Sequence, residues 1–545
     1  MAKKVTTYEI KGVLGYYFQE GDDVPEDAET RSLYCVMKES DLHLREENTQ
    51  DVVFIVKTEG ATVTLPSQSV GGAGFFSVCV KCAGETGVHH FMWKSAEQRD
   101  QKYGVLLRSA ASGQWPTSKV YDPDTESHLL KAVSVGFYDA PFHERKLLLL
   151  QKLQLCSIRF DWSDPQSHAT EKEIKTRCLR ELVGVAHHLP ELNDCRSFKD
   201  MLRMIGNNLF RALPSVTGET PAESDDEDVN DPAWVHLEHV YEILHKIYNS
   251  SNINDVVRKK STSVAFLSKM ISLFHSRDHR ERECLKQTTH RIYGRLTNRR
   301  AAIRKIFNHV FAREIYEPMP NYRGISEILD ILASIVNGFA CPIKQEHRKM
   351  LYHYLIPLHK LPDEHMYYHQ QLHYCMILFA GKDHTFTVDI IRGMLKYWPV
   401  GNNPKEQQFL QELEDLFEYV HIEDFEKIHD VFLRRFVQLI EAPHFQTTER
   451  ALWFWRNPAF NALAVKEPKF GASMLKALVK PLIKNTLEHW HESVKAMSRE
   501  TLQLYQVELP RVYAEVVSNH QELFAQLSTS AYGQLPEFDS ETWSD

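Results

Sequence analysis

At 545 residues the chain exceeds what one ordinary hydrophobic core organises, so several domains or an array of repeats is expected. Its 43% hydrophobic and 25% charged residues exclude a disordered or membrane-embedded class. A net charge of −9 and a pI near 6.3 argue against nonspecific attraction to nucleic acid or anionic lipid.

The amino terminus, MAKKVTTYEIKGVLGYYFQEGDD, has no apolar stretch of signal-peptide length, and no uncharged run is long enough to span a bilayer. Nine scattered cysteines fit reduced thiols. A cytoplasmic location is therefore expected, with nuclear entry left open. Residues 1–140 read as a β-rich module. Short runs such as SLYCVMK, DVVFIVK, ATVTL, FFSVCVKC, HHFMWK and YGVLLR alternate with Gly, Asp, Glu and Ser clusters, which suggests an antiparallel sandwich or barrel.

From 141 to 530 the pattern changes to long amphipathic helices. HERKLLLLQKLQLCSIRF, EKEIKTRCLRELVGVAHHL, SFKDMLRMIGNNLFRAL and WVHLEHVYEILHKIY each place apolar residues three and four apart, on one helical face. Paired helices with short breaks predict about eight or nine HEAT or armadillo-like units, stacked into an α-solenoid. The fold class expected is mainly α, this solenoid preceded by the smaller β-rich domain. One segment interrupts it: an acidic loop with six acidic residues from Glu223 to Asp231 and no apolar periodicity. Within it Ser224 precedes Asp225, Asp226, Glu227 and Asp228, a setting suited to acidophilic kinases, so a regulatory role is weighed against that of a solvated linker. Residues 531–545 read as a polar tail.

Catalytic constellations are missing from this pattern. Cys79 and Cys82 with His89 and His90 offer a CxxC and two adjacent histidines, a poor tetrahedron for zinc, and strand alternation explains them more simply. His369 and His373 share a helical face as in zinc proteases but lack the glutamate that would act as base, so a core-facing role is expected. The glycines Gly71, Gly72 and Gly74 have no following Lys-Ser/Thr for a phosphate loop. No catalytic residue, metal site or cofactor is assigned.

The densest stretch is KQTTHRIYGRLTNRRAAIRKIF, residues 286–307, where His290, Arg291, Tyr293 and Arg300 combine cationic, aromatic and donor groups near a helix end. The following ISEILDILASIVNGFACPIKQEH adds Ile331 and Ile335 at i,i+4, then Lys344 and His347 at i,i+3. On stacked repeats these eight residues could form an apolar slot rimmed by positive charge, suited to an extended peptide with aliphatic anchors and a carboxylate. The bland alternative is a basic helix with core isoleucines. Nucleic-acid binding through the Arg291–Lys305 stripe is disfavoured by the acidic balance.

The strings RERECLKQTTHRIYGRL, ISEILDILASIVNGFACPIKQEH, IPLHKL, YYHQQLHYC, LKYWPVGNNPKEQQFLQELEDL and APHFQTTERALWFW resemble the B-prime regulatory subunits of protein phosphatase 2A. The likeness runs in order over roughly 142–525. It implies a noncatalytic HEAT-like subunit that docks on the phosphatase scaffold and catalytic subunits and recruits partners bearing a Leu-x-x-Ile-x-Glu motif. It also implies that the family's peptide groove falls on His290, Arg291, Tyr293, Arg300, Ile331, Ile335, Lys344 and His347. His290 and Arg291 would receive the motif glutamate, Tyr293 and the isoleucines would shape the aliphatic pockets, and Arg300, Lys344 and His347 would favour acidic or phosphorylated positions. Thr289 stands where the family usually has leucine, and Asp330 where it has glutamate. A solenoid adaptor or scaffold unrelated to phosphatase is the alternative reading. The β-rich module has no counterpart in the resemblance.

Overall fold

A computed structural model describes strands between residues 7 and 93, and residues 115–116, 120–131, 136–140, 145–213, 230–317, 323–361 and 365–529. Residues 223–229 of the acidic loop Glu223–Asp231, with Ser224, the YGVLLR run, Cys82, the glycine cluster and the tail 531–545 lie outside the described residues. Two compact units divide the chain. One is Met1–Leu273 with Asp278–Ile303, the other Phe274–Arg277 with Arg304–Asp545.

In the first unit, β1 (Thr7–Ile10), β3 (Leu33–Lys38), β4 (Asp41–Glu46) and β5 (Val52–Lys57) pair antiparallel in the order β1-β3-β4-β5. A second antiparallel sheet has the order β2-β8-β7-β6, from β2 (Gly15–Glu20), β6 (Thr62–Thr64), β7 (Phe76–Lys81) and β8 (Gly87–Trp93). Cys79 stands opposite His90 in the β7–β8 register.

The described part of the protein is mainly helical. Helix α1 (Pro123–Lys131) is followed by α2 (Arg145–Cys156), α3 (Ala169–Val185), α4 (Cys195–Leu209), α5 (Trp234–Asn249), α6 (Asp255–Ser261), α7 (Val264–Ser272) and α8 (His279–Arg295). These pack as two layers: α2, α4 and α6 side by side in one, α3, α5 and α8 in the other. The pattern follows from amphipathic periodicity, because each helix buries one stripe against its neighbours. Asp194 and Asp278 fix where α4 and α8 begin, each accepting from a backbone N–H of the first turn that has no intrahelical partner.

Helix α9 (Arg300–Tyr316) follows a 3-10 turn over Thr297–Arg299. The second unit then holds α10 (Ile325–Asn337), α11 (Gln345–Met350), α12 (His365–Lys382), α13 (Thr385–Lys396), α14 (Asn403–Phe417), α15 (Ile422–Ile440), α16 (Phe445–Leu452), α17 (Pro468–Glu488), α18 (Glu492–Glu508), α19 (Pro510–Asn519) and α20 (Gln521–Thr529). Here α10, α12, α14, α16 and α18 succeed one another in one layer, and α13, α15 and α17 in the other. An aromatic cluster anchors it, with Phe432 stacked on Phe436 at 4.2 Å and Phe417 edge-on to Phe460 at 5.2 Å. Gly324 opens α10 where a Cβ would run into the Phe274 carbonyl, so this close approach needs glycine. Among the described residues no helix is long and apolar enough to cross a membrane.

Candidate functional site

The eight residues singled out in the sequence fall in both units, four in each. In the first unit they gather at the end of α8 and the start of α9. The last carbonyls of α8 have no intrahelical partner, and Arg300 supplies one: its Nε donates to the Tyr293 carbonyl at 3.0 Å and its Nη2 to the Gly294 carbonyl at 3.2 Å. The same guanidinium lies 5.2 Å from the Tyr293 ring centroid, a cation–π contact. Tyr293 is thereby fixed with only 9% of its surface exposed. Arg300 spends two donors on structure and keeps its charge partly exposed.

His290 is exposed and Arg291 half-buried. The Arg291 Nε is buried with no hydrogen-bond partner, as is Nδ1 of His245 on α5. Burial first, and the Arg291 charge second, hold the His245 imidazole below its ordinary pKa. No ion pair joins Arg291 to a carboxylate among the described residues. Buried donors left unmade are costly, so a carboxylate delivered here would gain what the fold itself leaves unsatisfied. His245 was not visible from the sequence, since nothing in WVHLEHVYEILHKIY marks which histidine faces α8.

In the second unit, Ile331 and Ile335 on α10 are 2% and 5% exposed. Most of each side chain is engaged in helix packing, leaving a thin aliphatic surface. Lys344, just before α11, is exposed, while His347 is buried and stacks on Phe339 with ring centroids 3.6 Å apart. Glu346 links this pair to α9: Arg304 Nη2 lies 2.7 Å from Glu346 Oε1, and His347 Nε2 lies 3.2 Å from the same oxygen. Burial and the Arg304 charge lower the His347 pKa, so the imidazole is neutral at physiological pH. The lowered pKa runs against the cationic role expected for His347, whereas the Lys344 side chain is exposed. Arg304, Phe339 and Glu346 were missed. Phe339 in NGFACPIKQEH is the one readable signal, an aromatic eight residues before the histidine on which it stacks.

His369 and His373 are not arranged as metal ligands. Their rings stack at 5.9 Å, and each histidine sits beside a carboxylate of α14, His369 Nδ1 at 3.6 Å from Glu412 and His373 Nε2 at 3.1 Å from Asp415. Among the described residues no group of three or more His, Cys, Asp or Glu is placed to hold a metal ion.

Comparison with known proteins gives this arrangement a context. Residues 134–534 match the family model described as protein phosphatase 2A regulatory B subunit (B56 family). The chain is 38% identical over 392 residues to the Arabidopsis thaliana B' beta isoform of the 57 kDa regulatory subunit of serine/threonine protein phosphatase 2A, covering 71% of this chain and 77% of that protein. Against the delta isoform of the 56 kDa regulatory subunit from Oryctolagus cuniculus the identity is 37% over 371 residues, or 67% of this chain and 62% of the relative. A Schizosaccharomyces pombe delta 2 isoform is 36% identical over 68% of this chain and 59% of its own length. These relatives are named as regulatory rather than catalytic subunits. The chain belongs to the B56 family of protein phosphatase 2A regulatory subunits.

Proposed function

We propose that this regulatory subunit docks on the scaffold and catalytic subunits of protein phosphatase 2A and directs serine/threonine dephosphorylation to partners carrying a Leu-x-x-Ile-x-Glu motif. The observation that carries the reading is Arg291, whose buried Nε has no partner and whose charge already depresses His245. An anionic side chain is the group such a place stabilises. Exposed His290 beside it adds a second donor, Tyr293 and the thin aliphatic surface of Ile331 and Ile335 contribute apolar contact, and Arg300 and Lys344 draw acidic or phosphorylated residues.

In this reading residues 141–530 are a HEAT/armadillo-like solenoid and 1–140 a separate β-rich module, consistent with the change from paired strands to stacked helices. The acidic loop Glu223–Asp231 serves as a regulatory element through Ser224, Asp225, Asp226, Glu227 and Asp228, made more negative by phosphorylation of Ser224. The protein works in the cytoplasm, with nuclear entry open.

The test is affinity purification of the tagged full chain with identification of its partners, paired with calorimetric titration of a Leu-x-x-Ile-x-Glu peptide. Recovery of both phosphatase subunits and binding of the peptide are expected. A partner set without either subunit would leave a solenoid adaptor of another kind.

A further inference from the structure

The first unit contains a second anion-seeking feature, built from residues other than those of the motif clusters. The end of α2, helix α4 and the start of α7 enclose an open cavity of about 580 Å³. Arg159, Lys199, Arg203 and Lys269 line it, and among the described residues no carboxylate does. None of the four makes an ion pair with a described residue. Two are braced by aromatic faces: the Arg203 guanidinium lies 4.4 Å from the Trp115 ring centroid and the Lys269 ammonium 5.7 Å from that of Phe210. Trp115 is itself 5% exposed, so its position is fixed. Phe210 meets Phe266 edge-on at 5.3 Å and forms an apolar wall beside the charges.

Four like charges around one cavity repel one another, and burial further lowers the basicity of Arg203, with Asp200 the one carboxylate acting against that. Two of the lining hydroxyls are already committed, Ser157 donating to the Leu153 carbonyl and Ser261 to that of Cys195. A cavity lined in this way favours an anion. Its size suits a small group with its neighbours rather than a polymer, and the net charge of −9 opposes nucleic acid or an anionic membrane. Four cations exceed what a single carboxylate balances, whereas a phosphate monoester carries nearly two charges and three acceptor oxygens.

We propose that this cavity recognises a phosphorylated serine or threonine side chain on a partner peptide, whose adjacent apolar residue rests on Phe210 and Phe266. The inference rests on the recruiting role proposed above, for a subunit of a serine/threonine phosphatase meets phosphorylated segments. Phosphate is bound here by charge and orientation alone, with no bond made or broken.

The experiment titrates the full chain with a blocked Ala-Leu-phosphoSer-Leu-Ala-Ala peptide, its unphosphorylated form, inorganic phosphate, and a Leu-x-x-Ile-x-Glu peptide. Three proteins are compared: the parent, Arg159→Glu/Lys269→Glu, and Lys199→Gln/Arg203→Gln, the last removing charge without reversing it. Thermal melts show that each remains folded. Binding of the phosphopeptide but not its unphosphorylated form is expected, weaker in high salt and reduced about tenfold or more in both variants. The Leu-x-x-Ile-x-Glu affinity stays unchanged, so failure of this site and failure of the motif reading are separate results. The proposal is overturned if phosphorylation makes no difference, if folded variants bind as the parent does, if inorganic phosphate binds as tightly as the peptide, or if RNA or anionic vesicles prove the tighter ligand of the same four residues.

Discussion

Arg211 and Glu281 are joined by a bidentate pair of hydrogen bonds, Nη1 to Oε1 at 2.8 Å and Nη2 to Oε2 at 3.0 Å, although Glu281 is wholly buried. The Tyr241 hydroxyl donates to the same carboxylate at 2.7 Å, and Arg211 also holds Asp231 at 2.6 Å. Burial works against the charge on Arg211, but the two carboxylates outweigh it and raise its pKa. Arg211 and Asp231 stand on either side of 214–229 in sequence.

Replacing Arg211 with Met strands the Glu281 carboxylate in the interior. Breaking a buried pair from one side costs about 3–5 kcal/mol. Urea denaturation of Arg211→Met should show a loss of that size, and Arg211→Met/Glu281→Gln should recover part of it. A loss under about 1 kcal/mol would mean that the network is solvated and of little weight.

Arg291 offers the sharpest test of motif recognition. Arg291→Ala removes a charge-assisted donor from the motif glutamate and should weaken the peptide by about 1.5–3 kcal/mol. The Nε it deletes has no partner in the fold, so stability should hold or rise slightly. Calorimetry and a melting curve together check both halves. Equal peptide affinity of variant and parent would remove Arg291 from the site.

The helical class was legible because periodicity is local: α4 and α15 each declare one apolar face in sequence. The pairings that bring distant segments together were not. Arg211 meets a carboxylate 70 positions away, and Arg159, Lys199, Arg203 and Lys269 share a cavity through three separate segments. The i,i+4 spacing of Ile331 and Ile335 was plain, and their burial agrees with the core isoleucines weighed as the alternative to a peptide slot. In ISEILDILASIVN, Ile325, Ile328, Leu329, Leu332 and Val336 are buried as well, so the two isoleucines belong to one broad apolar stripe, and the stripe does not announce which edge of it stays open. The neutral state of His347 depends on Arg304 and on burial, neither of which spacing reveals.

That burial shapes the next prediction. Serine at Ile331 or Ile335 would damage the fold together with the site, so valine is the better probe, at about 0.5–1.5 kcal/mol of stability each. Ile331→Val/Ile335→Val should weaken every motif peptide by a similar factor, phosphorylated or not. Lys344→Glu should instead weaken mainly the acidic and phosphorylated peptides, by an amount that shrinks as salt is raised. His347→Gln should not reproduce the Lys344 pattern, because the imidazole is uncharged. A titration series in which all three variants scale every peptide alike would overturn this division of roles.

The last prediction concerns acid. His359 Nε2 lies 3.0 Å from Glu412 Oε1 with both side chains wholly buried, and His369 Nδ1 stands 3.6 Å from the other carboxylate oxygen. Burial pulls the His369 pKa down from 6.5 to about 4, against the attraction of Glu412 and with the help of His359 and His373. For Glu412 burial pushes upward, but His359, with its charge and hydrogen bond, and then His369 and His373 hold the carboxyl below its ordinary value. Both shifts act in one direction. A histidine with a depressed folded pKa binds its proton more readily when unfolded, so its stabilising contribution is complete above 6.5 and is lost as pH falls towards 4. The Glu412 contribution is lost only below its ordinary 4.5. From the His369 shift the expected loss is about 3 kcal/mol across that window. His236, lowered to about 2 chiefly by burial and then by Lys175, adds to the slope in the parent, so the informative quantity is the difference between proteins. Urea denaturation at several pH values should show a shallower decline for His369→Gln than for the parent between pH 6.5 and 4.5, and equal slopes would mean that His369 takes up its proton in the folded state as easily as in the unfolded chain.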